Sequence, residues 1–289
     1  MTIASILALP DGGPDSERVL VTALEVGRAF GAHVECLYVE APVNSGVPAF
    51  TPGTSAATVD HLIRATRDAN VARREHLAEL MRHVVAEGEV ERVPPDEVPA
   101  AAKLTIAWRE TVGHISREAA RRGRVHDLIV VGPPSEDDGG SEAAALESAV
   151  LDTGRPVLMV GGEPWPVIGA PVTLAWDGSR EAALVAALAR PFLSQAPSVQ
   201  IVSVGDAGRV ADPVELARYL TNHGIPCATR LIAGGRRPVA ELLVAEARRS
   251  GPGLLVMGAF GHSPLGERLF GGVTREAMDS REVPLLMAH

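Results

Sequence analysis

The stretch Asp127-Leu128-Ile129-Val130-Val131-Gly132 returns in closely similar form as Gly253-Leu254-Leu255-Val256-Met257-Gly258. Each copy is a short apolar run that ends at glycine, which is typical of a strand buried on both faces of a parallel sheet. The segments that follow, residues 152–159 and 279–287, also resemble each other. A repeat of this length is too long for a solenoid, so the chain contains two copies of one domain.

Between these runs and on either side of them, strand-like segments alternate with segments of helical periodicity. Five strands are predicted in each half, near residues 3–9, 33–39, 103–108, 127–131 and 156–160, then 171–176, 198–204, 226–232, 253–257 and 284–288. We therefore predict an α/β protein of two tandem Rossmann-like domains, each a five-stranded parallel sheet with helices on both faces. Gly and Pro residues mark the boundary. They divide the chain into a first domain (1–162), a linker (163–170) and a second domain (171–289).

The charge balance and the lengths of the apolar runs limit the classes of partner that the chain is expected to bind. The chain carries 27 Lys plus Arg against 36 Asp plus Glu, a net charge of −9. Nucleic acid is not expected as a partner, because binding to it draws on clustered basic side chains. No apolar run reaches the ~18 residues that span a bilayer, and the N-terminus lacks the basic region of a signal peptide. We expect a cytoplasmic protein without a membrane partner.

The first half carries extra length between its second and third strands. Asp60 resembles an N-cap, and residues 61–86 keep apolar side chains at helical spacing among charged ones,. This pattern predicts a long amphipathic helix that covers the sheet or an interface between the domains. A Pro-containing loop at residues 93–99 follows it.

The chemistry is concentrated after the fourth strand of the second half. Gly258 and Gly261 stand at the end of that strand, and Gly271-Gly272 open the last helix. Glycine lets a backbone approach a ligand closely, and the amides of a helix N-terminus attract an anion. The spacing predicts a cup of backbone amides between residues 258 and 273 for a phosphate chain. Plain turn residues are the alternative explanation for these glycines.

This pattern of strand, Gly-x-x-Gly, nine residues, Gly and helix resembles the ATP-binding signature of the universal stress protein family. The whole chain, as two copies, resembles the tandem form of that family. The family signature continues with Gly and then Ser or Thr, whereas Gly272 occupies the hydroxyl position here. The resemblance therefore implies the loss of one phosphate contact, with Thr274 close enough to replace it in part.

The resemblance assigns further site residues. Asp177, at the end of the first strand of the second half, resembles the residue that contacts adenine or ribose. Val204 resembles a backbone contact to adenine, and Val273 a contact on the phosphate side. The family strand order, 3-2-1-4-5, places Asp177 and Gly258 at one cleft. As an alternative, Asp177 caps the helix that begins near Ser179.

The first half does not repeat the motif. Pro133-Pro134 and several acidic residues follow Gly132, and proline removes an amide donor while carboxylates repel phosphate. We interpret this half as a degenerate copy that serves as a packing partner. The loop Asp11 to Ser16 resembles the pyrophosphate loop of ATP pyrophosphatases, but an acidic residue stands at its first position. A tight turn in which Asp15 or Ser16 caps a helix is the alternative.

The resemblance implies a stress-response protein that binds ATP or a related adenine nucleotide, with or without Mg²⁺, in its second domain. Its role is expected to be regulatory or protective, and not enzymatic beyond weak ATP hydrolysis, because no general base for hydrolysis is evident. The alternatives are a nucleotide-free scaffold and, less favoured, an ATP pyrophosphatase. The last strand, Pro284 to Ala288, is expected to offer an edge,, and a homodimer of the whole chain is a further expectation.

Overall fold

The computed structural model describes residues 2–43, 55–97, 103–134, 141–161, 166–206, 208, 210–249, 251, 253–261 and 272–289. The elements of the first half are β1 (Ser5–Leu9), α1 (Ser16–Phe30), β2 (His33–Glu40), α2 (Ala56–Glu87), β3 (Glu91–Arg92), β4 (Thr105–Val112), α3 (Ile115–Gly123), β5 (Leu128–Val131), α4 (Ser141–Thr153) and β6 (Val157–Met159).

The elements of the second half are β7 (Val172–Ala175), α5 (Arg180–Leu188), α6 (Arg190–Leu193), β8 (Val199–Val204), α7 (Pro213–Asn222), β9 (Ala228–Ile232), α8 (Val239–Arg249), β10 (Leu254–Gly258), α9 (Gly272–Ser280) and β11 (Leu285–Ala288). All ten predicted strands are present, each within a few residues of its predicted bounds. Most of them are buried because helices cover both faces of the sheet, whereas the first four residues of β9 are exposed,.

The strands form one sheet in the order β3-β4-β2-β1-β5-β6-β11-β10-β7-β8-β9. Without β3, each half follows the predicted order 3-2-1-4-5 and is parallel throughout. The two halves meet where β6 and β11 pair antiparallel, with Leu286 opposite Leu158. The structure is therefore the predicted pair of Rossmann-like sheets, joined edge to edge.

This junction corrects the expectation that Pro284 to Ala288 forms an open edge. Strand β11 is paired with β10 on one side and with β6 on the other. Its backbone N–H and C=O groups are thus satisfied within the chain, and they offer no template to another molecule. The prediction was wrong because two open edges of one chain, held close by a short connection, pair with each other.

The junction is also held by contacts on one face of the sheet. The carboxylate of Glu25 on α1 accepts hydrogen bonds from the backbone amides of Val167 and Ile168. Phe30 on α1 packs edge-to-face against Phe192 on α6, with ring centroids 6.1 Å apart. One buried apolar cluster includes side chains from both halves. The halves therefore pack on each other as expected, while the boundary placed at residues 162–163 stays a prediction.

The long helix of the first half begins earlier than expected. Helix α2 starts at Ala56, and the Ser55 hydroxyl accepts a hydrogen bond from the Thr58 amide as its N-cap. Asp60 lies inside the helix, so its assignment as the cap was wrong, because a serine five residues earlier already supplies a cap. The buried positions are Asn70, Leu77, Met81 and Val84, of which Met81 and Val84 join the core against the sheet.

Strand β3 was not predicted. It consists of two exposed residues, Glu91 and Arg92, that pair with the beginning of β4. Two charged residues carry no strand pattern, so only the proximity of β4 gives them this conformation. Within the described part of the chain, no helix is both long enough and apolar enough to cross a membrane.

Candidate functional site

A cavity of about 420 Å³ lies beyond the carboxyl ends of β7, β8 and β10. These strands flank the point where the strand order of the second half reverses, which is where open α/β sheets bind ligands. Its lining consists of Ala175, Trp176, Asp177, Ser179, Ala182, Val202, Val204, Val210, Val239, Leu243, Met257, Gly258, Phe260, Gly261, Gly272, Val273 and Thr274.

Seven of the eight predicted site residues belong to this lining. They come from four separate segments of the chain, and the fold brings them to one cleft: Asp177, Val204, Gly258, Gly261, Gly272, Val273 and Thr274. The eighth, Gly271, lies outside the described residues, as do residues 262–270 of the predicted amide cup. The geometry of that cup therefore stays a prediction.

Asp177 stands in an exposed turn between β7 and α5. Its Oδ1 accepts a hydrogen bond of 2.9 Å from the Ser179 amide. The Ser179 hydroxyl in turn accepts one of 3.1 Å from the Ala182 amide and is the N-cap of α5. The alternative in which Asp177 caps this helix is thus wrong. Asp177 instead shapes the turn at the rim of the cavity, with Gly178 at φ 80°.

Gly258 and Gly261 owe their identity to close packing. A Cβ on Gly258 would lie 2.6 Å from the backbone nitrogen of Ala182 and 2.7 Å from the carbonyl carbon of Glu181. A Cβ on Gly261 would lie 2.8 Å from Glu181 Oε2. Neither glycine has a positive φ, so close packing, and not a left-handed backbone, is the constraint seen at these two positions. Glycine is needed at these positions because the first turn of α5 lies against the end of β10.

The start of α9 forms the opposite wall. Gly272 is the first residue of the helix, and a Cβ there would meet no atom of the described residues within 4 Å. Thr274 is buried, and its Oγ1 accepts a hydrogen bond from the Phe260 amide at 3.4 Å. Thr274 therefore ties α9 to the loop after β10. This role differs from the predicted partial replacement for the hydroxyl missing at residue 272.

Sequence reasoning missed Glu181, which follows the N-cap of α5 by two residues. It is 8% exposed and is paired with Arg180 at 3.1 Å. Burial raises the pKa of Glu181, but hydrogen bonds from its own amide and from Arg180, with the charges of Arg180 and His289, hold the pKa below its usual value,. An ionised carboxylate thus lies beside Gly261. No pattern in the sequence signals its burial, since a glutamate in a first helical turn is usually exposed.

The apolar end of the cavity was also missed, apart from Val204. Side chains from β8, β10 and α8 supply it, namely Val202, Val204, Val239, Leu243 and Met257. Val210 also lines the cavity. It packs closely on the backbone at Gly205, where a Cβ would lie 2.4 Å from Val210 Cγ1. These residues are spread over about fifty positions of sequence, so no local motif connects them. Together they make a crevice suited to a flat, largely apolar ring.

The corresponding cleft of the first half is much smaller. A cavity of about 70 Å³ lies there, with Asp11, Asp15 and Glu142 in its lining. Arg281 from the second half also lines it and donates a hydrogen bond to the Pro134 carbonyl. Carboxylates in a small cleft disfavour a phosphate chain. This geometry agrees with the interpretation of a degenerate copy.

The loop from Asp11 to Ser16 is held together by hydrogen bonds to the Asp11 carboxylate. The Asp11 carboxylate accepts hydrogen bonds from the Ser16 hydroxyl at 2.8 Å and from the Gly13 amide at 3.0 Å. Burial raises the pKa of Asp11, but hydrogen bonds from Glu142, Gly13 and Ser16 lower it further, to a value below normal,. The ionised Asp11 carboxylate therefore already accepts hydrogen bonds from the Gly13 amide and the Ser16 hydroxyl, which are donors that a pyrophosphate would need. Asp15 is the N-cap position of α1 but makes no side-chain capping bond.

Comparison with known proteins gives similarity in structure only. No protein-family model matches the chain, and no curated protein matches its sequence. A universal stress protein from Archaeoglobus fulgidus superimposes with a TM-score of 0.67 at 18% identity, over 98% of this chain and 95% of that one. A putative universal stress protein from Pseudomonas aeruginosa UCBPP-PA14 gives 0.53 at 16%, over 99% and 93%. A functionally unknown protein from Pseudomonas aeruginosa PAO1 gives 0.53 at 14%, over 99% and 92%.

The two named matches extend over both halves and over nearly the whole length of each partner. The strand order 3-2-1-4-5, which the resemblance implies, is present in both halves of this chain. At sequence identities this low, the structural similarity shows the architecture of the chain alone. The chain therefore has the fold of the universal stress proteins, in the form with two Rossmann-like domains in one polypeptide.

Proposed function

We propose that the chain is a stress-response protein of this family that binds ATP, or a related adenine nucleotide, in the cavity of its second half. Its role is regulatory or protective. The observation that carries the proposal is the convergence of seven separately predicted residues on one cavity of about 420 Å³. This volume lies in the ~300–1,000 Å³ range of small-molecule sites.

The two ends of the cavity suit the two ends of a nucleotide. The crevice of Val202, Val204, Val239, Leu243 and Met257 offers an apolar slot for the purine. The opposite end lies at the N-termini of two nine-residue helices, α5 and α9. Helix N-termini attract anions, and a helix dipole contributes ~0.3–1 kcal/mol. Several amides together are thus needed to hold a phosphate chain. At α5 the amides of Ser179 and Ala182 already donate to the side chains of Asp177 and Ser179, so the start of α9 is the better anchor for the phosphates.

The overall charge of the second half also favours a nucleotide. Residues 171–289 carry 12 Arg against 11 Asp plus Glu, a balance of +1, whereas residues 1–170 carry 15 Lys plus Arg against 25 Asp plus Glu, a balance of −10. A polyanion therefore meets no net repulsion in the second half, while the first half repels it. The charge distribution and the cavity volumes agree on which half takes the ligand.

Binding without turnover is proposed because catalytic groups are sparse. Asp177 is the only described lining residue with an ionisable side chain. Its Oδ1 already accepts a hydrogen bond from the Ser179 amide. Hydrolysis of ATP requires a group that orients water, usually with Mg²⁺ at the phosphates. The described residues do not supply such an arrangement around this cavity.

Isothermal titration with ATP, with and without Mg²⁺, tests the proposal. The native chain is expected to bind, and ATP at about 100 times its Kd is expected to stabilise it by ~2.7 kcal/mol. Gly272→Leu places a side chain in the open space of the cavity and is expected to abolish binding. Gly235→Leu is the matched control, because within the described part of the chain a Cβ at Gly235 also meets no atom within 4 Å and Gly235 is not among the lining residues.

The outcomes separate the alternatives. Absence of binding by the folded native chain contradicts the proposal and favours a nucleotide-free scaffold. Equal binding by the Gly272→Leu and Gly235→Leu variants places the ligand elsewhere. Release of AMP and pyrophosphate during incubation would instead favour a pyrophosphatase that uses the loop from Asp11 to Ser16.

A further inference from the structure

The second half leaves one end of the sheet open. Strand β9 (Ala228–Ile232) is the terminal strand, and among the described residues it pairs only with β8. Its first four residues are exposed. A terminal strand of this length presents a row of backbone N–H and C=O groups that another strand can pair with.

The opposite end of the sheet is protected. There the terminal strand β3 has only two residues, both charged. The chain continues along β4, where the Val93 amide donates to the Ile106 carbonyl at 2.9 Å and the Pro95 carbonyl accepts from Arg109. A very short, charged edge followed by a covering loop is a common protection against strand pairing. The duplicated sheet therefore has one long edge available and not two.

Exposed apolar side chains accompany the open edge. Leu231 on β9 is 44% exposed, and Val214 and Tyr219 on the adjacent helix α7 are also among the exposed large apolar residues. The Cys227 thiol donates to the Ala217 carbonyl, which ties α7 to the segment that leads into β9. Apolar groups at a strand edge gain free energy when a second molecule covers them.

The charge distribution favours another copy of this chain as the partner. The second half has a balance of +1 and the first half one of −10. Two copies that meet through their second halves bring nearly neutral surfaces together, whereas contact between first halves brings strongly negative ones together. Since each chain has one long open edge, pairing through it forms a closed two-fold dimer and not a filament.

We propose that β9 pairs antiparallel with β9 of a second copy, so that the two eleven-stranded sheets become one. Two-fold registers place the same residue opposite itself. A register centred on Arg230 sets two like charges opposite each other, whereas centres at Thr229 or Leu231 avoid this. Arg230 is also paired with Glu246 on α8 at 3.5 Å, which draws its charge toward its own chain.

Analytical ultracentrifugation of the full chain at micromolar concentrations gives the first test. The native chain is expected to sediment as a dimer. Thr229→Lys and Leu231→Lys place charges on the edge and are each expected to weaken dimerisation at least tenfold. Val125→Lys is the control, because Val125 is 75% exposed in the first half. A monomer at all concentrations, or a dimer that the edge lysines leave unchanged, would overturn the proposal.

Cross-linking gives a second test that does not depend on the lysine variants folding. Thr229→Cys and Leu231→Cys are prepared singly in a Cys227→Ser background, since Cys227 is close to the edge. Residues opposite each other across a two-fold ladder have Cα atoms about 4.5–5.5 Å apart, within the range that a disulfide bridges. With oxidised glutathione as electron acceptor, one of the two variants is expected to form a disulfide-linked dimer, and a Val125→Cys variant is not. Failure of both edge variants contradicts the pairing.

Discussion

Gly258 and Gly272 both line the cavity. Addition of one methyl group is expected to lower the stability of the fold at Gly258 but not at Gly272. In Gly258→Ala the new Cβ would lie 2.6 Å from the Ala182 nitrogen and 2.7 Å from the Glu181 carbonyl carbon. These are backbone atoms of a packed helix, so relief requires a shift of α5 against β10. Overpacking of this kind costs about 1–3 kcal/mol. In Gly272→Ala the methyl group meets no atom of the described residues within 4 Å at the first position of α9, so stability is expected to stay nearly unchanged.

Urea unfolding of the two variants beside the native chain measures this difference directly. We expect Gly258→Ala to be less stable than Gly272→Ala by at least ~1 kcal/mol, with similar m-values. Titration with ATP then shows whether the displaced first turn of α5 also weakens binding. Equal stability of the two variants would refute the reasoning, because it would mean that β10 and α5 are not in close contact. The result also explains why loss of binding at Gly258 alone does not identify a nucleotide contact.

Two further predictions follow from buried residues. Glu181→Gln removes an ionised carboxylate beside Gly261, so we expect ATP affinity to rise by about 1 kcal/mol, or roughly fivefold, in calorimetry. Because the folded-state pKa of Glu181 is lowered, its charged form stabilises the fold above the unfolded-state pKa, and this contribution is lost as the pH falls through the folded value,. The stability difference between native chain and variant should therefore shrink on acidification. Phe192→Ala removes a side chain that is 2% exposed and packed on Phe30. We expect a loss of about 3–5 kcal/mol in urea unfolding, with both halves still unfolding in one transition. Two separate transitions in the native chain would contradict a shared core.

Most of the strand framework was predictable because buried parallel strands leave a continuous apolar pattern. The runs at 127–132 and 253–258 led to the duplication, and the resemblance to a family supplied the strand order that places Asp177 and Gly258 at one cleft. Errors arose where a partner outside the local pattern decides the structure. Strand β3 exists because β4 lies beside it, and β11 is covered because β6 of the other half reaches it.

The candidate site shows the same division. The glycines stand out locally because phosphate loops have short, recognisable motifs, and the resemblance to a family added Asp177. Glu181 and Leu243 do not stand out, because their position in or beside the cavity depends on how α5 and α8 pack. Gly258 was correctly placed, but the packing of α5 against it was visible only in three dimensions.

Local periodicity, the repeat and the glycine spacing were thus enough to establish two α/β domains and to locate the cleft in the second one, since each depends on residues near one another in the chain. The joining of the two sheets, the burial of Glu181 and the opposite environments of Gly258 and Gly272 were not accessible in this way. Each of these depends on contacts between elements that are distant in sequence, and a one-dimensional pattern carries no record of the distances and burial that such contacts create.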